Sequence, residues 1–201
     1  MSDAVILDAK KRLRPLLRSR RRTLSPQEVT EKSRRITQRL LANAPFQHAS
    51  IIVLYNADEN EVVTEAIWRE ALKQGKKVYY PRITVDRENL EFVRRHPEDV
   101  LISGTFGILI PPGSEILSNL RPTDVVLTPG VGFDLRGNRL GRGKGYYDRA
   151  FRRALAGALR VALAYELQIM PEIPTGPDDE RVQWIVTEER LIQCAANEER
   201  A

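Results

Sequence analysis

With only one cysteine, Cys194, in 201 residues, the chain has no possibility of an internal disulfide, which fits a reducing compartment. Long hydrophobic runs are missing too. The longest, such as Ser50–Tyr55 and Val125–Leu127, fall far short of the roughly 20 residues a bilayer crossing requires, so no membrane association is expected. The N-terminal Met-Ser-Asp-Ala-Val-Ile-Leu has no basic segment leading into an apolar stretch and a small-residue cleavage site, so no secretory signal is visible and the cytoplasm is the expected location. Internal repeats, low-complexity tracts and long linkers are absent, which points to one domain spanning residues 1–201; a monomer is the expected state. At 42% apolar and 29% charged residues, the chain can bury a core, and collagen-like and wholly disordered readings fall away.

What the chain does have is concentrated positive charge. Its net charge is +5, yet Lys10 to Arg22 holds eight lysines and arginines and no acid, so the remainder is net acidic. Such a cluster suits a polyanion: nucleic acid, a membrane surface or a phosphorylated small molecule.

The pattern of breakers and apolar periodicity predicts alternating helices and strands. Asp8 is placed to cap a helix through Ala9–Arg14 with Leu13, Leu16 and Leu17 on one apolar stripe, and Pro15 predicts a bend. Ser25-Pro26-Gln27-Glu28 announces a second helix running to about Leu41. Ser50–Tyr55 reads as a buried strand, Val63–Lys73 as a helix closed by Gly75, and Lys77–Tyr80 as a strand stopped by Pro81: a βαβ unit. Further strands are expected at Leu90–Arg94, Asp124–Thr128, Val161–Tyr165 and Trp184–Thr187, with a helix at Tyr146–Leu155. The expected fold is α/β, a three-layer sandwich with a mostly parallel or mixed central sheet covered by helices on both faces.

Half of the twelve glycines lie between Gly130 and Gly145. Gly141, Gly143 and Gly145 let the backbone take positive φ and approach a ligand, while Arg139, Arg142 and Lys144 supply charge at the same place. Following a strand and opening a helix, this loop suits a phosphate. It is neither a Walker A loop nor the Gly-x-Gly-x-x-Gly dinucleotide spacing, and a solvated surface hairpin is its plainer alternative. Asp148, just beyond, suits Mg²⁺ associated with phosphates, or else an ion pair with Arg149 or Arg152.

The string Arg139-Leu140-Gly141-Arg142-Gly143-Lys144-Gly145-Tyr146-Tyr147-Asp148, preceded by Pro129-Gly130-Val131-Gly132-Phe133-Asp134, resembles the signature of the 5-formyltetrahydrofolate cyclo-ligase family, also called 5,10-methenyltetrahydrofolate synthetases. The likeness extends to Lys10-x-x-x-Arg14, Glu61-Val62-Val63-Thr64-Glu65, Tyr80-Pro81-Arg82, Phe106-Gly107-Ile108, and Asp179 followed by Trp184–Glu188.

The resemblance implies an enzyme that uses ATP and Mg²⁺ to convert 5-formyltetrahydrofolate to 5,10-methenyltetrahydrofolate, ADP and phosphate. A formamide oxygen is a poor leaving group; phosphorylating it lets phosphate depart as N10 closes the ring. That chemistry rests on positioning and charge neutralisation, so no nucleophilic side chain is required. By the same resemblance, Lys10, Arg14, Arg139, Gly141, Arg142, Gly143, Lys144, Gly145 and Tyr146 bind ATP, with Lys144, Arg142 and Tyr147 closest to catalysis. Tyr55, Glu61, Phe106 and Tyr147 line the folate site, and Asp148 and Asp179 contact Mg²⁺, with Asp178 an alternative one residue away. Arg12, Arg18 and Arg20 to Arg22 read as solvated helix surface. The family's acid before the central proline is missing here, where Ile108-Leu109-Ile110-Pro111 stands, and Phe106 replaces a tryptophan found in some members. Cys194 is given no role.

A nucleic-acid-binding protein is the rival from another class, but residues 10–22 offer no aromatic side chain for base stacking, so none is expected as a partner. A different phospho-ligand enzyme on the same scaffold is the second rival.

Overall fold

The computed structural model describes residues 2–195, apart from the side chain of Phe106. The chain begins with two long helices, α1 (Asp3–Arg22) and α2 (Pro26–Leu41), and a short α3 (Ala44–His48), then enters β1 (Ile51–Val53). Helix α4 (Glu65–Lys73) leads to β2 (Lys77–Ile83) and β3 (Leu90–Arg94), followed by the small hairpin β4 (Ile102–Ser103) and β5 (Leu109–Ile110). Next come β6 (Val125–Thr128), β7 (Gly132–Asp134), β8 (Arg139–Leu140), α5 (Tyr146–Arg152), β9 (Leu159–Leu163), β10 (Ile169–Met170), β11 (Trp184–Val186) and β12 (Leu191–Gln193).

Seven strands form the main sheet in the order β12-β11-β9-β6-β1-β2-β3, parallel through its five central members and closed by antiparallel strands at both edges. The expected mixed sheet is therefore present, and β1-α4-β2 is the expected βαβ unit. Alternation along the strands sends Ile52, Leu54, Val78, Tyr80, Val125 and Leu127 to one face, where they pack with Ile36 and Leu40 of α2 and Ile67 and Ala71 of α4. Val53, Tyr79 and Val126 point to the other face and meet Ala150 and Phe151 of α5. Helices thus cover both faces of the sheet. On the first face Arg95 stacks its guanidinium 3.6 Å above the ring of Trp68, and Trp184 packs against the same cluster. A second sheet, β10-β7-β8, carries α1 on an apolar contact made by Leu13 and Leu17 with Val131, Leu140 and Ile173.

Several boundaries depart from expectation for physical reasons. Helix α1 starts at Asp3, and Asp8 pairs with Arg12 one turn on rather than capping. Pro15 sits inside the continuous helix. Its missing hydrogen bond costs about 3 kcal/mol, which buried residues on either side, Lys10, Leu17 and Arg21, offset. Leu16 is exposed, so the buried stripe follows Ile6, Lys10, Leu17 and Arg21 instead. The Ser25–Glu28 capping box forms as the sequence suggests. Strand β2 runs through Pro81: its register, together with the Thr84 N–H donating to the Asn89 carbonyl, puts Pro81 in a non-hydrogen-bonded pair with Phe92, where no N–H is required by β3. Helix α5 stops at Arg152, three residues before the expected end.

Candidate active site

The chain order β1→β2 runs one way across the sheet, and β6→β9→β11 runs the other. Strand order reverses between β1 and β6, and open α/β sheets bind ligands outside the carboxyl ends of the strands at such a reversal. A cavity of about 550 Å³ lies there. Its walls come from the segment after β1 (Tyr55, Asn56, Asp58 and Glu61), from the end of β2, from the segment after β6 through α5, from α1 and from Asp178 and Asp179. Seven cationic side chains and five carboxylates line it, beside an apolar wall that includes Leu7, Ile83, Leu90 and Ile110. The volume and the mixture suit a flat ring system with an anionic end.

The glycine-rich loop is built around arginines. Gly143 (φ +100°) and Gly145 (φ +66°) occupy the left-handed region. A Cβ on Gly141 would stand 2.8 Å from Arg139 Nη1, one on Gly143 3.2 Å from the Arg14 guanidinium carbon, and one on Gly145 2.9 Å from Arg149 Nη1. Each glycine thus makes room for a guanidinium lying on the backbone. Arg14 fixes the crossing of α1 over the loop by donating Nε–H to the Gly141 carbonyl at 2.9 Å. Burial lowers the pKa of Arg14, against the pull of Asp179 and Asp148. Arg149 ties the loop to the β2–β3 connection, donating to the carbonyls of Lys144 and Glu88. Tyr146 donates its hydroxyl to the Arg87 carbonyl at 2.8 Å. Lys144 is exposed at the cavity, and among the described residues no carboxylate pairs with it. With α5 only seven residues long, its dipole adds little, and side-chain charge dominates.

Glu61 is buried and central. Its Oε1 accepts from Arg142 Nη2 at 2.9 Å and lies 3.7 Å from Arg21 Nη1, while Oε2 accepts the Asp58 N–H at 3.2 Å. Burial pushes the carboxyl above its ordinary value, opposed by Arg142 and Arg21. Arg142 also donates to Asp58 Oδ2 at 2.7 Å. Although burial works against it, the two carboxylates hold Arg142 firmly protonated. Tyr147 presents a buried hydroxyl with no hydrogen-bond partner among the described residues, an orphaned polar group at the cavity wall. Burial first, and Glu61 second, raise its pKa, so it stays a donor at neutral pH. Tyr55 lines the cavity, but its own hydroxyl is already donated to the Val62 carbonyl at 3.0 Å. Of the expected site residues, Phe106 alone cannot be placed, because its side chain lies outside the described residues.

Asp148 pairs with Arg139 at 2.9 Å, rather than with Arg149 or Arg152. Asp179 pairs with Lys10 and accepts the Gly176 N–H, whereas Asp178 is exposed and holds Arg152. The inward carboxylate of the two is Asp179. No cluster of three or more His, Cys, Asp or Glu side chains suited to a metal occurs among the described residues. Asp148 Oδ1 and Asp179 Oδ2 make these bonds, and each carboxylate keeps its other oxygen without a described partner. This donor set fits Mg²⁺, which commonly takes one or two carboxylates and completes its shell with phosphate oxygens and water.

One residue expected at the surface is not there. Arg21 is fully buried, donating Nε–H to the Glu59 carbonyl and Nη1–H to the Gly130 carbonyl. Arg18 and Arg22 grip the Glu59 carboxylate beside it. The signal was in the spacing: Lys10, Arg14, Leu17 and Arg21 recur at four, three and four residues, one face of a helix. Asp58 carries no comparable signal.

Residues 6–188 match the model of the 5-formyltetrahydrofolate cyclo-ligase family. The chain is 34% identical to a mouse 5-formyltetrahydrofolate cyclo-ligase over 94% of its own length and 98% of the relative's. With the Escherichia coli K12 protein of the same name it shares 28% identity, covering 88% and 98%. The solved structure of Aquifex aeolicus 5,10-methenyltetrahydrofolate synthetase superposes with a TM-score of 0.80 at 30% identity, covering 96% of each chain.

Proposed function

This chain belongs to the 5-formyltetrahydrofolate cyclo-ligase family, and from that premise we propose that it converts 5-formyltetrahydrofolate to 5,10-methenyltetrahydrofolate with ATP, releasing ADP and phosphate. One observation carries the residue assignments: a single cavity is shared by the Arg139–Gly145 loop, with its cations, and by Glu61 and the unpartnered Tyr147 hydroxyl. A triphosphate and a folate therefore have room to meet there.

Lys10, Arg14, Arg139 and Lys144 bind the phosphates, Lys144 bringing the exposed charge to the group transferred. Arginine offers two parallel donors to phosphate oxygens and lysine a mobile point charge. Tyr146 and Gly141 to Gly145 shape the nucleotide wall. Glu61 accepts hydrogen bonds from the pterin amino and ring N–H groups, and the Tyr147 hydroxyl donates to a folate or phosphate oxygen. Arg142, between the two sites, steadies charge developing on the formyl oxygen. Asp148 and Asp179 would hold Mg²⁺, which supplies neutralisation of phosphate charge. The protein's contribution is orientation and electrostatics, worth about 10²–10³-fold for one well-placed donor. We further propose that the 201 residues work as one domain and as a cytoplasmic monomer; no helix among the described residues is long and apolar enough to cross a membrane.

The test is direct. Purified protein mixed with 5-formyltetrahydrofolate, Mg²⁺ and ATP should generate methenyl-folate absorbance that depends on the nucleotide. ATP hydrolysis indifferent to the folate would overturn the proposal.

A further inference from the structure

Glu61 is held by two arginines of unlike character. Arg21 is fully buried and anchored by the Glu59 and Gly130 carbonyls, so it cannot leave. Arg142 is partly exposed, sits between two glycines of which Gly143 has φ +100°, and bridges Asp58 (2.7 Å) and Glu61 (2.9 Å). Asp58 itself is half exposed at the cavity edge.

We propose that Asp58 is a positioning residue that parks Arg142 on Glu61, so that the phosphates of a nucleotide, by drawing Arg142 off, free Glu61 to receive the pterin and make the two substrates bind cooperatively. The inference rests on the reading of the cavity given above. In the parked arrangement Arg142 donates to one oxygen of Glu61 and the Asp58 N–H to the other, so an arriving pterin must share the carboxylate with the guanidinium that covers its cavity side. Either ligand arriving alone must break the Arg142 bridge; the one arriving second finds it broken. That shared step is a coupling free energy and must act reciprocally. Arg21 stays 3.7 Å from Glu61, so the buried carboxylate keeps a compensating charge after Arg142 departs.

The experiment is calorimetric titration of the full chain with 5-formyltetrahydrofolate, with and without saturating β,γ-imido-ATP and Mg²⁺. The parent should bind the folate about tenfold more tightly when the nucleotide analogue is present, a typical coupling. Asp58→Asn should tighten folate binding in the absence of nucleotide and shrink the coupling, whereas a merely structural aspartate would weaken binding when removed. Arg142→Met should bring the coupling close to one. Equal coupling in parent and Arg142→Met, independent binding of the two ligands by the parent, or weaker folate binding by Asp58→Asn would each overturn the inference while leaving the enzymatic reading intact. A parent that binds neither ligand would overturn both.

Discussion

Two basic segments meet at the cavity, and they hold their charge in opposite ways. Helix α1 uses rigid spacing: its cations are pinned by distant acids, Lys10 on Asp179 and Arg18 and Arg22 on Glu59, with Arg21 sealed beneath. The Arg139–Gly145 loop uses missing side chains, its glycines clearing the space in which three guanidiniums lie. Charge on the helix is spent mainly on architecture, and on the loop Arg139 and Arg142 are likewise paired with acids while Lys144 is left open to a ligand. Sequence composition treats the two alike, since arginine counts do not distinguish an anchored guanidinium from an available one.

The contrast is broken most severely at Arg21. Replacing it with alanine leaves Glu61 short of a partner and removes the donor to the Glu59 carbonyl, while the Gly130 carbonyl keeps Gln168, a loss of about 3–5 kcal/mol for breaking a buried pair, to be read by chemical denaturation. An unchanged midpoint would mean that the helix charge is not structural. At Lys144, exposed and without an acidic partner among the described residues, alanine should spare the melting temperature and slow turnover about 10²-fold; initial rates against ATP decide it, and an unaltered rate would make the lysine a solvated bystander. Gly143→Ala should combine the two kinds of damage, costing about 1–2 kcal/mol for a left-handed non-glycine residue and raising the KM for ATP by displacing Arg14. Equal KM values for variant and parent would reduce the loop to an ordinary turn.

Acidification sharpens the comparison further, because Glu59 and Glu61 move in opposite directions. Burial opposes ionisation of Glu59, yet hydrogen bonds from Arg18 and Arg22 hold it down from the ordinary 4.5 to about 2. A depressed carboxyl stabilises the fold above its unfolded value and loses that contribution as pH falls through the folded one. Thermal unfolding should therefore show a decline between about 4.5 and about 2 that Glu59→Gln flattens. On the proposed folate role of Glu61, its raised value predicts that folate affinity falls on acidification while Glu59 is still ionised, and Glu61→Gln should remove that limb from the KM profile for folate. The smallest effect belongs to Arg12, whose exposed pair with Asp8 is worth under about 1 kcal/mol; alanine there should leave both stability and rate nearly unmoved.

Much of this was legible in the sequence, and the remainder was hidden for identifiable reasons. The continuous apolar runs Ile51–Leu54 and Val125–Leu127, the Ser25 cap and Gly75 encode strand, helix and stop locally, so the sheet and its helices follow. Pro15 and Pro81 misled because each proline's cost depends on surroundings that local pattern cannot supply: buried contacts on both flanks for one, a non-hydrogen-bonded register for the other. The string from Arg139 to Asp148 marked the candidate site because its chemistry is compressed into ten residues. Apart from the local pair of Asp148 with Arg139, the ion pairs that hold the site join residues far apart in the chain: Arg142 with Asp58 and Lys10 with Asp179. The adjacency of β1 and β6 sets the first of these and the crossing of α1 the second.

The stack of Arg95 on Trp68 lies on the sheet face that packs α2 and α4, and Trp184 contributes to the same cluster; neither indole borders the cavity. With both tryptophans of the chain placed there, intrinsic fluorescence emission should track denaturation while staying largely blind to occupancy. Fluorescence-detected unfolding curves recorded with and without nucleotide can then be compared directly.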